Sequence, residues 1–391
     1  MAIHNYILFA SIKRFIAVTI YFPLALIFRI FTIQVPYFFT ERIGHLVVDL
    51  DSFLKEQYLL NGRYPSSVLL APPNLVANSK LLEYWKEYFI VIQNPLLCRL
   101  LLPLCFHPLL RLEDKYAATI NASSSIYKIS AEWGNQDPLL RVSDHDLAVG
   151  SETLLKMGLN KGDWFICIHS REGGYSPSDE HLHSFRNTPI EDFFPAIKFI
   201  TSQGGKCIRM GDSSMKPAPK DVDLIDYATS PFKSELMDIF LCSECLFFLG
   251  SNSGIFELST LFGTPVATVN MAPMSILPRG LYDLSLPMLY KDSKSAKLIS
   301  FSEIMETNRS NYRTSEEFSN AGITLVPNKP EEILELATEQ FYRTTNSYTS
   351  EAPEEILQNK YKALFKDGHY AWRSPSKIGE KFLKRYAQLL S

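Results

Sequence analysis

Four short polar runs in this sequence carry residue types that could hold a charged ligand. His169-Ser170-Arg171-Glu172-Gly173-Gly174 follows the apolar start of WFICIHS, Trp164 to Ser170. The planar fork of an arginine matches a phosphate in two hydrogen bonds, and glycines let a backbone come close to a ligand. Alternatively the run is a strand-end loop with an exposed arginine. Arg209-Met210-Gly211-Asp212 ends a second apolar run, KCIRM. If buried, Arg209 needs an anionic partner, which a ligand, Asp212 or Asp226 could supply. Gly250-Ser251-Asn252-Ser253-Gly254 joins an apolar run to a helical one. Hydroxyls and free N–H groups at such a turn either bind an anion or cap the helix. Glu257, in the first turn of that helix, could accept hydrogen bonds from a sugar or ribose. The fourth run, Asp179 to Asn187, includes His181, His183 and Arg186 and is longer than a simple connection needs. It offers a general base, substrate hydrogen bonds or only a solvated loop.

The elements that would position these runs alternate between strand and helix from Leu159 to Asn270. Trp164–Ser170, Lys206–Met210, Leu246–Gly250 and Pro265–Asn270 are strand-like apolar runs without polar alternation. Between them lie helical patterns over Pro189–Gln203, Ser234–Ser243 and Ile255–Phe262, with Leu224–Ala228 as a further short strand. That order predicts βαβ units and a mostly parallel sheet covered on both faces. In such a sheet ligands bind beyond the carboxyl ends of the strands, where all four runs fall. Earlier in the chain, Gly44–Leu50 reads as strand, Ser52–Leu59 as helix and Ser67–Leu70 as strand. The very apolar stretch Pro95–Leu112 is a buried helix or a surface facing a membrane or an acceptor. Ser376–Leu390 reads as an amphipathic helix.

Composition bounds the reading. The chain has 391 residues, 39 basic and 42 acidic, and a net charge of −3, so a nucleic-acid partner is not expected. There is no Walker-type phosphate loop, no G-x-G-x-x-G after a strand and no G-x-S-x-G elbow. P-loop, ordinary nicotinamide and α/β-hydrolase chemistry are therefore set aside. Cys242-x-x-Cys245 stands alone, which reads as buried thiols rather than a zinc or redox site. No metal and no cofactor is expected. Residues 1–40 are apolar, with Lys13, Arg14 and Arg29 and no acid. The 14 uncharged residues from Phe15 to Phe28 are short for a membrane span and are interrupted by Pro23. A segment lying on an anionic membrane, a single anchor and a buried helix of the first domain are all compatible with that pattern.

Taken in order, CIHSREGGY, HSFRN, IRMGD, IDYA and FFLGSNSGIFELSTLFGTPVATVN resemble an uncharacterised bacterial family of surface-polysaccharide glycosyltransferases. The resemblance runs from Arg42 to Asn270 and continues more weakly at the end of the chain. His169-x-Arg171 is similar to the H-x-R element of fucosyltransferase-like enzymes, and Ser253-Gly254 with Gly263-x-Pro265 looks like a GT-B donor site. The resemblance implies a GT-B-like α/β fold, two Rossmann-like domains facing a cleft. The expected order is a membrane-associating segment (1–40), an acceptor-side domain (41–155), a nucleotide-sugar domain (156–345) and a helical segment (354–391) packing back on the first domain. It implies metal-independent sugar transfer from a nucleotide-sugar donor to a glycan or lipid-linked acceptor. The basic, apolar amino end, which lies outside the resemblance, adds the expectation of a cytoplasmic protein peripheral or monotopic on the inner membrane. Donor-binding candidates are His169, Arg171, Arg209, Gly211, Asp212, Ser251, Asn252, Ser253, Gly254 and Glu257. Candidates for the base are Glu172, Asp179 and His45. A non-catalytic, membrane-attached binding protein of the same fold is the alternative.

Overall fold

The computed structural model describes residues 18–110, 123–175, 177–349 and 354–391. The chain divides into two compact units, Met1–Ala122 and Ser123–Ser391.

In the first unit, helix α1 covers 18–30; the part of the apolar amino end before residue 18 lies outside the described residues. Helix α2 follows (Ile43–Asn61), then β1 (Ser67–Leu70), α3 (Ser79–Trp85), β2 (Phe89–Ile92) and α4 (Pro95–Cys105). β1 and β2 pair in parallel, Val68 opposite Ile90. The strand expected over Gly44–Leu50 is instead the first half of α2. Leu46, Leu50, Phe53 and Leu54 are all buried, and their spacing is that of one helix face. The helix runs on to Asn61 and stops at Gly62, whose φ of 66° suits glycine. Among the described residues no helix is long and apolar enough to cross a membrane.

The second unit begins with α5 (Ser123–Trp133) and α6 (Asp144–Lys156). Then come β3 (Phe165–His169), α7 (Glu180–His183), α8 (Phe194–Ser202), β4 (Lys206–Arg209) and α9 (Glu235–Glu244). β5 (Phe248–Ser251), α10 (Phe256–Leu261), β6 (Val266–Met271), β7 (Leu284–Pro287) and β8 (Leu289–Asp292) follow. The chain closes with α11 (Phe301–Glu306), α12 (Ser315–Asn320), β9 (Ile323–Val326), α13 (Pro330–Thr344), α14 (Glu354–Ala363), β10 (Lys377–Ile378) and α15 (Glu380–Arg385). Six strands form one parallel sheet in the order β10-β7-β6-β5-β3-β4. The sequence reading of a mixed α/β fold with a parallel sheet holds here.

Right-handed crossovers place α8 on one face of the sheet and α9 on the other, because β4 and β5 flank β3 on opposite sides. α13 packs on α8, where Phe341 stacks on Trp164. α6 packs on α9, so closely that a Cβ at Gly150 would strike the Phe240 ring. Leu224–Ala228 contributes an isolated bridge, Ile208 to Ile225, and a short turn rather than a strand. The segment after residue 353, expected to return to the first domain as a helix, instead completes the second unit. Its β10 adds to the sheet edge beside β7, and Phe382 and Leu383 of α15 are buried.

Candidate active site

In the strand order the chain reverses direction around β3: it leaves β3 towards β4 and returns on the far side to β5. Loops from β3 and β5 therefore diverge, and the gap between them is where open α/β sheets take ligands. All four polar runs meet at this end. Ser251 Oγ, at the end of β5, accepts a hydrogen bond of 2.8 Å from the Arg171 N–H. Asn252 donates from Nδ2 to the Ala272 carbonyl at 2.7 Å. These two residues stitch the ends of β3, β5 and β6 together. Ser253 is half-buried and Gly254 exposed in the turn itself. α10 is only six residues long and no side chain caps its start. Glu257 accepts from Arg279 Nε at 2.9 Å, so one of its oxygens serves an ion pair.

Arg171 organises the loop that follows β3. Its Nη1 donates to Glu180 (3.5 Å), to the His183 carbonyl (3.3 Å) and to Asn187 Oδ1. Asn187 Nδ2 returns to the other Glu180 oxygen at 2.5 Å. The glycines of this run have a structural cause: a Cβ on Gly173 would meet the Glu180 carboxylate, and one on Gly174 would meet Ser214. Asp179 is half-buried at the start of α7.

The charge of Arg209 is paired within the protein, although its Nε is buried without a hydrogen-bond partner among the described residues. Fully buried, it donates from Nη2 to Glu172 Oε1 at 2.6 Å, and from Nη1 to Asp226 at 3.3 Å and the Lys216 carbonyl at 2.7 Å. Asp226, not Asp212, is the partner; Asp212 accepts instead from the Ser214 N–H at 2.9 Å. The second oxygen of Glu172 accepts from the Lys216 N–H at 3.0 Å. Both oxygens of that carboxylate are thus engaged, which removes Glu172 as a base and Arg209 as a ligand contact. Gly211 has a φ of 153°, which side-chain-bearing residues rarely adopt, and a Cβ there would meet the Met215 sulfur.

His169 is buried and donates from Nδ1 to the Met210 carbonyl at 3.1 Å. Burial pushes its pKa down to about 4, and Arg209 and Arg171 push the same way. The imidazole is neutral at physiological pH, with its lone pair on Nε2. In the first unit His45 lies on α2, one turn before Asp49, and its Nδ1 is 3.0 Å from the carboxylate of that buried aspartate. A carboxylate behind Nδ1 fixes the tautomer and leaves Nε2 as the basic atom.

Two residues outside the sequence-derived set complete the second unit's site. Arg186 Nε, and Nε and Nη2 of Arg313, are buried without a hydrogen-bond partner among the described residues. The two segments are tied together: His183 Nδ1 donates to the Arg313 carbonyl at 3.1 Å, and Ser315 Oγ to the Leu182 carbonyl at 3.2 Å. Burial first, and then the charges of Arg171 and Arg313, lower the Arg186 pKa to about 10. Arg186 lies over the Phe185 ring and Arg313 over the Tyr370 ring, at 5.4 and 5.5 Å. Aromatic faces take part of the charge but supply no acceptor for the N–H groups. Three guanidinium groups and His183 therefore converge with less acceptor capacity than they have donors, an arrangement that an oxyanion would answer. The sequence signal for Arg186 was its place in the long polar run; Arg313 stands in a turn with no such signal.

Among the described residues no group of three or more His, Cys, Asp or Glu side chains could hold a metal ion. Cys242 and Cys245 are buried free thiols. No family model matches this sequence, and no curated protein matches it. Among solved structures, the chain is similar to ADP-heptose lipopolysaccharide heptosyltransferase II of E. coli, with 14% identity over 60% of this chain and 83% of that one, at a TM-score of 0.36. It is also similar to a glycosyl transferase family 9 protein of Veillonella parvula, with 13% identity over 60% and 79%, at 0.37. A third is the E. coli heptosyltransferase WaaC with ADP, with 10% identity over 74% and 98%, at 0.37. These are likenesses of α/β architecture, and the chemistry has to come from this chain's own side chains.

Proposed function

We propose that this chain transfers a glycosyl group from a nucleotide-sugar donor, with the donor's diphosphate held in the second unit against Arg186 and Arg313, beside Arg171. The observation that carries the reading is the set of guanidinium N–H groups buried without a protein acceptor at the carboxyl end of a parallel sheet. A diphosphate supplies both the acceptors and the countercharge. It is also the group on which charge grows as the bond from sugar to phosphate breaks, so the same contacts strengthen in the transition state. The glycosyl carbon passes to an acceptor hydroxyl oxygen, the nucleoside diphosphate leaves with the bonding pair, and a base takes the hydroxyl proton. Of the base candidates in the second unit, Glu172 is spent on Arg209, and Asp179, half-buried at the start of α7, is the base in this reading. The order of motifs supports a GT-B-like, metal-independent enzyme. The basic, apolar amino end supports a glycan or lipid-linked acceptor at the cytoplasmic side of the inner membrane.

The test is thermal unfolding of the full chain with GDP, UDP, ADP, CMP or dTDP. One nucleotide should raise the midpoint, and Arg313→Gln should abolish that rise. Arg171→Ala is a poorer probe, because it also unties Glu180 and Asn187. If no nucleotide stabilises the folded wild type, the reading fails. Stabilisation without turnover of any nucleotide sugar would favour the non-catalytic alternative. With a turnover assay in hand, Asp179→Asn should cut kcat by about 100-fold or more.

A further inference from the structure

We propose that the outer faces of α1 and α4 seat the first unit on an anionic lipid surface. Both helices are apolar all round, yet each buries only one side. α1 turns Tyr21, Leu24, Ala25 and Phe28 into a cluster with Leu104 and Cys105 of α4. Its opposite side presents Ile20, Leu26, Ile27 and Ile30 to solvent, with Ile20 and Ile30 each 67% exposed. α4 does the same, exposing Leu96, Leu97 and Leu100. The two exposed sides are joined along one edge of the unit. His107 Nε2 meets the Val18 carbonyl at 3.1 Å, half-exposed Phe22 lies against His107, and half-exposed Tyr37 lies against half-exposed Phe106. A helix that is apolar all round belongs in a core or in lipid, and a patch of this kind on a folded chain marks a surface that is covered in use.

Charge selects the occupant. The segments 18–40 and 88–110 contain no Asp or Glu in a chain with 42 acids. Their charged residues are Arg29 and Arg99, both exposed. In the sequence Lys13 and Arg14 come just before. A basic rim around an apolar face complements acidic headgroups over acyl chains, whereas a second copy of this chain would bring like charges together.

The experiment is flotation of the full chain with phosphatidylcholine vesicles and with vesicles containing phosphatidylglycerol, at low and high salt. The wild type should float with the anionic vesicles and lose most of that binding at high salt. Ile27→Asp with Leu97→Asp should cut partitioning at least about ten-fold while circular dichroism and Tm stay unchanged, since both side chains are already exposed. Arg29→Glu with Arg99→Glu should erase the preference for acidic lipid and leave the fold intact. Absence of wild-type binding to either vesicle would overturn the proposal. So would unchanged binding by the aspartate variant, or a wild-type dimer that this variant dissociates with vesicle binding unaffected. The readout is independent of nucleotide binding and turnover, so it stands or falls apart from the proposed activity.

Discussion

Arg209 and the Arg186–Arg313 pair sit at the same end of the second unit and have opposite electrostatic surroundings. Arg209 is wholly buried; two carboxylates and a backbone carbonyl receive its two Nη groups, and its Nε alone lacks a partner among the described residues. Arg186 and Arg313 bury N–H groups that nothing in the described protein accepts, and their charges repel. Burying a guanidinium is costly in both places, but only in the first does the fold itself recover the cost. The contrast separates an arginine that builds the scaffold from arginines that wait for an anion, a distinction that residue type and strand position alone do not make.

The largest consequence falls on the scaffold. Arg209→Met leaves Glu172 and Asp226 facing each other across a site that has lost its cation. Urea unfolding should show a loss of about 3–5 kcal/mol. A loss under about 1 kcal/mol would mean that the carboxylates relax into water, and the proposed division of roles would collapse.

His169 reports on the same scaffold through pH. Its folded pKa of about 4 lies below the ordinary value of 6.5, so the unfolded chain takes up the proton first. This contribution to stability is intact above pH 6.5 and declines as pH falls towards 4, by about 3 kcal/mol in all. His169→Asn keeps an N–H for the Met210 carbonyl and cannot titrate. It should flatten that part of the acid limb in a pH series of unfolding free energies; an unchanged slope would place the proton uptake elsewhere.

Much of the scaffold was legible in the sequence. β3, β4, β5 and β6 are continuous apolar runs ended by glycine or polar residues, the signature of strands buried on both faces. Two features hid the rest. The Val47-Val48 pair made the start of α2 look like a strand, although Leu46, Leu50, Phe53 and Leu54 already had helical spacing. The carboxyl-terminal run read as one amphipathic helix from Ser376 because β-addition by Lys377–Ile378 depends on an edge that only the folded sheet provides. In the site, the H-x-R run was visible but its role was not. Whether an arginine is answered depends on partners such as Asp226 for Arg209, which the turn after β4 brings back to it. Arg313 meets Arg186 across 127 residues of chain, and no local pattern signals that meeting.

On the ligand side, Arg186→Gln removes a buried charge that no described protein group pairs. The unliganded protein should be no less stable than wild type and gain about 1 kcal/mol, while nucleotide-dependent stabilisation disappears. Loss of stability comparable to that of Arg209→Met would show that Arg186 is a scaffold residue after all.

The smallest and most local effect is on His183. Burial lowers its pKa first, and the Arg186 charge lowers it next, partly offset by the hydrogen bond to the Arg313 carbonyl. Removing that charge, or neutralising it with a bound anion, acts on the imidazole in the same direction. In an NMR titration the His183 pKa should therefore rise in Arg186→Gln, and should rise in the wild type when a nucleoside diphosphate is added. The ligand should have no further effect on His183 in the Arg186→Gln variant, because that variant no longer binds it. A wild-type His183 that ignores the nucleotide would place the diphosphate away from Arg186, even if the protein binds it.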